Sequence, residues 1–244
     1  MSNVLITGSS RGLGLELVQH VSAHPGLSGG LAIATARKCS SELDQIVAAS
    51  NGSIIFVALD VADEESVRKS AEKVKSVLGG RSLDVIINCA GVHSETHGKL
   101  TEMSDLDWQL SVNVSGTHNV LRQYLALMGS SQLKKVVNIP YGSMILAREV
   151  AFARCPAYKI SKAALNALTV QYATSYEEDG FIFLAVSPGW LKSEMGGQDA
   201  DLTVAEGAEA VVKLALSADR RDNGSFKNVH VSGWEKYAGQ NLPW

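Results

Sequence analysis

Tyr158 and Lys162 stand four residues apart in Tyr158-Lys159-Ile160-Ser161-Lys162, a spacing that puts both side chains on one face of a helix, the ammonium a turn beyond the phenol. A phenol beside a fixed cation can hand a proton to the oxygen of a carbonyl that is accepting hydride, or take one in the reverse direction. An unperturbed phenol, with a pKa of about 10, holds its proton too tightly for this near neutrality. Bringing it into range takes about 4 kcal/mol, an order of energy that a nearby ammonium and a cationic ring in a partly dry cleft can supply.

A second chemistry-bearing stretch lies near the N-terminus. Thr7-Gly8-Ser9-Ser10-Arg11-Gly12-Leu13-Gly14 follows the apolar run Val4-Leu5-Ile6 and leads into a stripe of Leu13, Leu17 and Val21. Gly8, Gly12 and Gly14 allow a tight turn and let the backbone approach phosphates, while a helix N-terminus supplies free N–H groups and partial positive charge. The turn, with Ser10, Arg11 and Leu13 between its glycines, is where a dinucleotide would rest its pyrophosphate. Ala36-Arg37-Lys38 follows the next apolar run. An acidic residue there would accept from a ribose 2′-hydroxyl and repel a 2′-phosphate, whereas Arg37 can grip that phosphate with two donors, with Arg11 close by. The expected cofactor is therefore NADP.

Both sites need elements to carry them. Short Val- and Ile-rich runs recur at Val4 to Ile6, Leu31 to Ala34, Ile54 to Ala58, Val85 to Ile87, Val136 to Ile139, Phe181 to Val186 and Val229 to Val231. Runs this short and continuous suit strands buried on both faces of a parallel sheet. Helical patterns at Leu13 to Val21, Glu64 to Leu78, Leu106 to Met128, Ala157 to Tyr176 and Thr203 to Leu216 lie between them, the last with Thr203 and Glu206 as a capping box. The alternation predicts an α/β, Rossmann-type, doubly wound and mostly seven-stranded parallel sheet with helices on both faces, its ligands beyond the carboxyl ends of the strands. With no repeat or linker in view, residues 1–244 are expected to form a single domain.

Composition narrows the class further. Of the 244 residues 45% are hydrophobic and 19% charged, so a sizeable core is available and neither disorder nor membrane insertion is expected. The net charge is −3 and no long basic run occurs, which removes the electrostatic footprint of a nucleic-acid binder. Three widely spaced cysteines, Cys39, Cys89 and Cys155, suggest free thiols, and the absence of a visible signal segment makes a cytoplasmic location the expectation. His93, His97 and His118 lack a matching ligand set, so no metal is expected. His93 and His97 fall in the variable stretch after Gly91, within reach of a substrate.

The glycine turn and the Tyr-x-x-x-Lys pair, with the residues below, resemble the short-chain dehydrogenase/reductase family over nearly all of the chain. Pro188-Gly189-Trp190, Met195-Gly196-Gly197 and the terminal Leu242-Pro243-Trp244 look most like the sniffer or C-factor type of carbonyl reductase. The resemblance implies that Asp60, after the third strand, accepts from the adenine amino group, although a capping aspartate would look the same. Asn88-Cys89-Ala90-Gly91 resembles the family's Asn-Asn-Ala-Gly, so Asn88 and Gly91 would fix the turn against the ribose, with Cys89 packing as a small apolar residue. Asn113 matches the asparagine at which the family's helix distorts to hold a water on the proton path to the lysine. Lys162 would also hold the nicotinamide ribose. The Leu191 backbone would lie against the nicotinamide ring, and Ser193 would bind its carboxamide.

One family feature is displaced. Relatives usually read Asn-Ile-Ser-Ser after the fifth strand, with the second Ser polarising the substrate. Here Asn138-Ile139 is followed by Pro140-Tyr141-Gly142-Ser143. Direct register puts Tyr141 in the serine's place, and a slip of two puts Ser143 there. Ser143 is the preferred donor, since the interval to Tyr158 is longer than usual in relatives. Residues Met144 to Pro156 would then form a lengthened loop beside the pocket. The implied activity is NADPH-dependent reduction of a ketone or aldehyde, or the reverse alcohol oxidation, with Tyr158, Lys162, Asn113 and Ser143 as catalytic residues and a small carbonyl or alcohol as partner. The alternatives are a repurposed scaffold running a non-redox cyclisation or isomerisation, and a signalling module that binds NADPH without turnover. Relatives commonly assemble as homodimers or homotetramers.

Overall fold

A computed structural model describes residues 2–95, 99–140 and 155–244; His97, Tyr141, Gly142 and Ser143 lie outside them. The first strand, β1 (Val4–Thr7), is fully buried and pairs in parallel with β2 (Ala32–Ala36) on one side and β4 (Val85–Asn88) on the other. β3 (Ile54–Ala58) extends the sheet beyond β2, and β5 (Lys135–Asn138), β6 (Ile182–Ser187) and β7 (Ser225–Asn228) extend it beyond β4. The order is β3-β2-β1-β4-β5-β6-β7 across a seven-stranded sheet, every pairing parallel. The chain reverses direction across the sheet between β1 and β4, and such a switch point opens a crevice at the strands' carboxyl ends.

Alternation along each strand feeds two cores, since successive side chains leave opposite faces. Val4 and Ile6 pack with Leu17, Val18 and Val21 of α1 (Gly12–Ala23), Leu43 of α2 (Ser41–Ala49) and Val211 and Val212 of α7 (Val204–Ser217). Leu5, on the opposite face, shares a core with Val67, Val74 and Leu78 of α3 (Glu64–Leu78). Val120, Leu121 and Tyr124 of α5 (Gly116–Tyr124) belong to the same core, as does Ala173 of α6 (Pro156–Ser175).

Three expectations shift. The span Leu106 to Met128 is helical throughout but changes type, from α4 (Leu106–Leu110) through a π-helical turn at Ser111–Ser115 to α5 and a closing 3-10 turn. The seventh strand lies at Ser225–Asn228, ahead of the expected Val229 to Val231; as an edge strand it packs through Phe226 and has no continuous apolar run. α2 was not anticipated, because only Leu43 of its nine residues is fully enclosed.

Candidate active site

The sheet register sets a polar row across its carboxyl edge. Thr35 pairs with Thr7, Thr7 with Asn88, and Asn88 with Asn138, and all four are buried. Buried polar side chains need partners, and here they find one another and the adjoining turns. Thr35 Oγ1 donates to the Ile6 carbonyl at 3.1 Å. Thr7 Oγ1 accepts from Cys89 N and Ala90 N, both at 3.1 Å, and so holds the turn after β4 against β1. Asn88 Nδ2 donates to Asn138 Oδ1 at 2.8 Å, and Asn138 Nδ2 to Thr169 Oγ1 of α6 at 2.9 Å.

Thr7 supplies side-chain bonds that hold the turn after β4. As the last residue of its strand, Asn88 lies beside its register partner on β5, so its amide is committed there and Thr7 performs the turn-fixing. Its side-chain Oδ1, buried and without a partner among the described residues, remains for a ligand.

The glycine turn is held by backbone proximity. Gly8 adopts φ +75°, and a Cβ there would lie 2.7 Å from Ala90 Cα. A Cβ on Gly14 would fall 2.2 Å from the Gly8 carbonyl oxygen, and Gly12, at φ +53°, opens α1. Arg11, the cap residue, makes no side-chain capping bond, so the first-turn N–H groups of α1 stay uncapped by it. Ser40 Oγ donates to the Ser10 carbonyl at 2.7 Å and joins the turn to the start of α2. Amides uncapped by a side chain at the start of α1, beside Gly12 with nothing within 4 Å of the place of a Cβ, form a cradle that fits a pyrophosphate.

The flanking charges divide. Arg37 and Lys38 are exposed just beyond β2 and have no ion-pair partner among the described residues. Arg11 instead pairs with Glu194, from the loop after β6, on the open side of the crevice. Asp60 Oδ1 accepts from Ala62 N at 3.0 Å, the local capping contact that sequence could not separate from adenine binding; Oδ2 has no partner among the described residues.

Tyr158 and Lys162 lie in the first turns of α6, both buried. Lys162 Nζ donates to the Ile139 carbonyl at 2.9 Å and sits 5.4 Å from the centre of the Tyr158 ring. Burial pushes the ammonium down to about 8 and the neighbouring Cys89 thiol up to about 12, so near neutrality the two stand as ammonium and uncharged thiol. A Cβ on Gly91 would lie 3.2 Å from both Lys162 Nζ and Asn113 Oδ1, so the bare glycine lets the chain pass close to both.

Asn113, fully buried in the π turn, brackets the chain after Gly91. Its Oδ1 accepts from Val92 N at 2.8 Å, and its Nδ2 donates to Val92 O at 3.0 Å and to Ser161 Oγ at 2.9 Å. Ser161 Oγ in turn donates to the Tyr158 carbonyl at 2.7 Å. The Asn113 carbonyl accepts from Thr117 Oγ1 at 3.2 Å. Further along, Ser94 Oγ donates to Asp105, and Gln109 Nε2 donates to both Ser94 Oγ and Asp105 Oδ2 at 2.9 Å. Between these anchors the His93 ring meets the Tyr158 ring nearly perpendicularly, centres 5.0 Å apart.

The loop after β6 is fastened from behind. Tyr237 Oη donates to Asp201 Oδ2 at 2.5 Å and accepts from Trp190 N at 3.1 Å, and Leu191 is bridged to Leu202. Ser193 Oγ accepts from Gly196 N at 3.1 Å, which leaves its own proton for a ligand. Trp190 Nε1 donates to the Gly196 carbonyl at 2.8 Å.

Ser161, Thr7, Thr169 and the Ser94–Asp105–Gln109 group have no role in the sequence reading. Ser161 carried the one available signal, standing three residues after Tyr158 inside the Tyr-x-x-x-Lys motif. Among the described residues no cluster of three metal-ligating side chains occurs, and no helix is long and apolar enough to cross a membrane.

A family model described as short chain dehydrogenase matches residues 2–202. The short-chain dehydrogenase/reductase AacuF of Aspergillus aculeatus is 32% identical over 202 residues, covering 78% of this chain and 74% of that protein. The short chain dehydrogenase pigC of Monascus ruber is 34% identical over 244 aligned positions, covering 93% and 78%. Among solved structures, NADPH-bound carbonyl reductase from chicken fatty liver superposes with a TM-score of 0.86 at 26% identity, over 100% of this chain and 94% of that one. Carbonyl reductase Sniffer of D. melanogaster, at 24% identity, shares the fold with a TM-score of 0.87 over the full length of both. Since the matched span takes in the glycine turn, the π turn with Asn113 and the buried Tyr158–Lys162 pair, the chain belongs to the short-chain dehydrogenase/reductase family of oxidoreductases, which uses a nicotinamide cofactor.

Proposed function

We propose that residues 1–244 act as one NADP-binding domain that reduces a ketone or aldehyde to an alcohol, or runs the reverse oxidation. The observation that carries this reading is the buried Tyr158–Lys162 pair, with Lys162 tethered to Ile139 O at 2.9 Å and its ammonium 5.4 Å from the centre of the Tyr158 ring. Arg37, exposed and without an ion-pair partner among the described residues, supports NADPH over NADH. The chicken reductase, solved with NADPH bound, supports the same choice.

Gly8, Ser10, Arg11, Gly12, Leu13 and Gly14 would hold the pyrophosphate, Arg37 the 2′-phosphate and Asp60 the adenine. Asn88, Gly91 and Lys162 would hold the nicotinamide ribose, and Leu191 and Ser193 the nicotinamide. When bound, the cofactor supplies or accepts the hydride. Tyr158 donates its phenolic proton to the substrate oxygen as charge develops there. The Lys162 ammonium, which cannot swing away from Ile139 without losing a buried bond, stabilises the resulting phenolate. Asn113 and Ser161 fix the main chain beneath the phenol. The hydroxyl that polarises the carbonyl falls to Ser143 or Tyr141.

The test is Tyr158→Phe. Consumption of NADPH with an aldehyde such as 4-nitrobenzaldehyde should fall on the order of 10²–10⁴-fold, while NADPH affinity, read from quenching of tryptophan fluorescence, stays unchanged. Turnover retained by the phenylalanine variant would point to non-redox chemistry and defeat the reading.

A further inference from the structure

His93 is held more firmly than a residue of a variable loop needs to be. The residue before it is clamped at both N–H and carbonyl by Asn113. The residue after it is bonded to Asp105 and Gln109, the latter fully buried. With both neighbours fixed, the imidazole has little choice of position, and that position is the edge of Tyr158, with ring centres 5.0 Å apart at 79°. His93 is thus one of the groups that cover a phenol only 6% exposed.

The contact is incomplete as a hydrogen-bonding arrangement. Neither ring nitrogen of His93 has a hydrogen-bond partner among the described residues, although the ring is half-buried. Half-buried, the ring keeps its nitrogens available to a ligand or to solvent. Burial holds the imidazole pKa below its usual value, against the opposing pull of Glu95 and Asp105. Asp105 already accepts from Ser94 and Gln109. A neutral imidazole presents one N–H donor and one acceptor, and it can polarise an oxygen without competing with Tyr158 as the proton source.

We propose that His93 is a substrate-contacting residue, its imidazole N–H donating a hydrogen bond to the carbonyl oxygen that Tyr158 protonates. This rests on the reductase reading above. It gives the site a donor beside Tyr158, and it identifies the substrate by its need for an accepting oxygen at the His93–Tyr158 edge.

The experiment compares the unaltered chain with His93→Phe and His93→Gln, using NADPH and 4-nitrobenzaldehyde as the probe. Phenylalanine keeps a ring against Tyr158 and removes the donor; glutamine restores an N–H donor without the ring. The expected result is a loss in kcat/KM on the order of 10²-fold for His93→Phe, NADPH affinity unchanged, and recovery of about tenfold of that loss in His93→Gln. If His93→Phe matches the unaltered chain, the proposal is overturned. If His93→Gln is no better than His93→Phe, the ring acts only by packing and the proposal is equally overturned. If Tyr158→Phe retains turnover, or the unaltered chain has none with any carbonyl offered, the reductase reading itself fails, a result separate from either His93 outcome.

Discussion

At the nucleotide end the decisive contacts are backbone to backbone, the Gly14 Cα over the Gly8 carbonyl and Gly8 against Ala90, with side chains largely kept away. At the catalytic end they run through side chains: Asn113 to Val92 and Ser161, Ser161 to Tyr158, Asn88 to Asn138 and Thr169, Lys162 to Ile139. A cradle of main-chain amides tolerates no added atom but is indifferent to polarity nearby. A lattice of side-chain hydrogen bonds tolerates small changes of shape but no lost partner. The two ends should therefore fail in different ways when altered.

The sharpest break is Gly14→Ala. Its Cβ would fall 2.2 Å from the Gly8 carbonyl oxygen, and backbone on both sides cannot yield. We expect a loss of about 3 kcal/mol in stability and of detectable NADPH binding, measured by thermal denaturation and fluorescence titration; binding at parental affinity would refute the backbone account of this end.

Ser161→Ala probes the other end at smaller cost. It removes one partner of Asn113 Nδ2 and the donor to the Tyr158 carbonyl, for about 1–2 kcal/mol of stability. The expected signature is a fall in kcat of about tenfold with unchanged NADPH affinity, the reverse of Gly14→Ala. Parallel losses in both quantities would erase the distinction between the ends.

The mildest test uses pH. The Lys162 ammonium titrates at about 8 in the free protein, so kcat/KM measured with NADPH as the limiting reactant should decline as pH rises through about 8. The stability sign is opposite. A lysine lowered from 10.5 to about 8 leaves the folded chain binding fewer protons than the unfolded one above about 8, so this group contributes rising stability there. Cys89, raised from 9.0 to about 12, offsets the gain once pH passes the ordinary thiol range. Activity that stays flat through about 8 would remove Lys162 from the proton path.

The same contrast explains what was legible in sequence. Glycines at 8, 12 and 14 announce a backbone geometry that few other residues adopt, and buried parallel strands announce themselves as apolar runs, so β1 to β6 were found to within a residue or two. The lattice around Asn113 depends on residues distant in sequence, Val92 and Ser161, and single serines and threonines carry no pattern that separates a buried bond from a surface one. β7 was misplaced because an edge strand buries few side chains, with Phe226 its one enclosed apolar residue. The doubt over Ser143 and Tyr141 falls outside the described residues.

The π turn at Ser111–Ser115 also sets a phase. Each helical residue advances the chain by about 100°, and the π turn absorbs one more residue than an α turn, so winding the same residues as a plain α-helix would rotate α5 by about that angle relative to α4. Val120, Leu121 and Tyr124 would swing off the core they fill as Asn113 left its place beside Val92. One surplus residue thus works as a vernier between two helices, and it locks the alignment of Asn113 to the alignment of the core, so that neither can drift without the other.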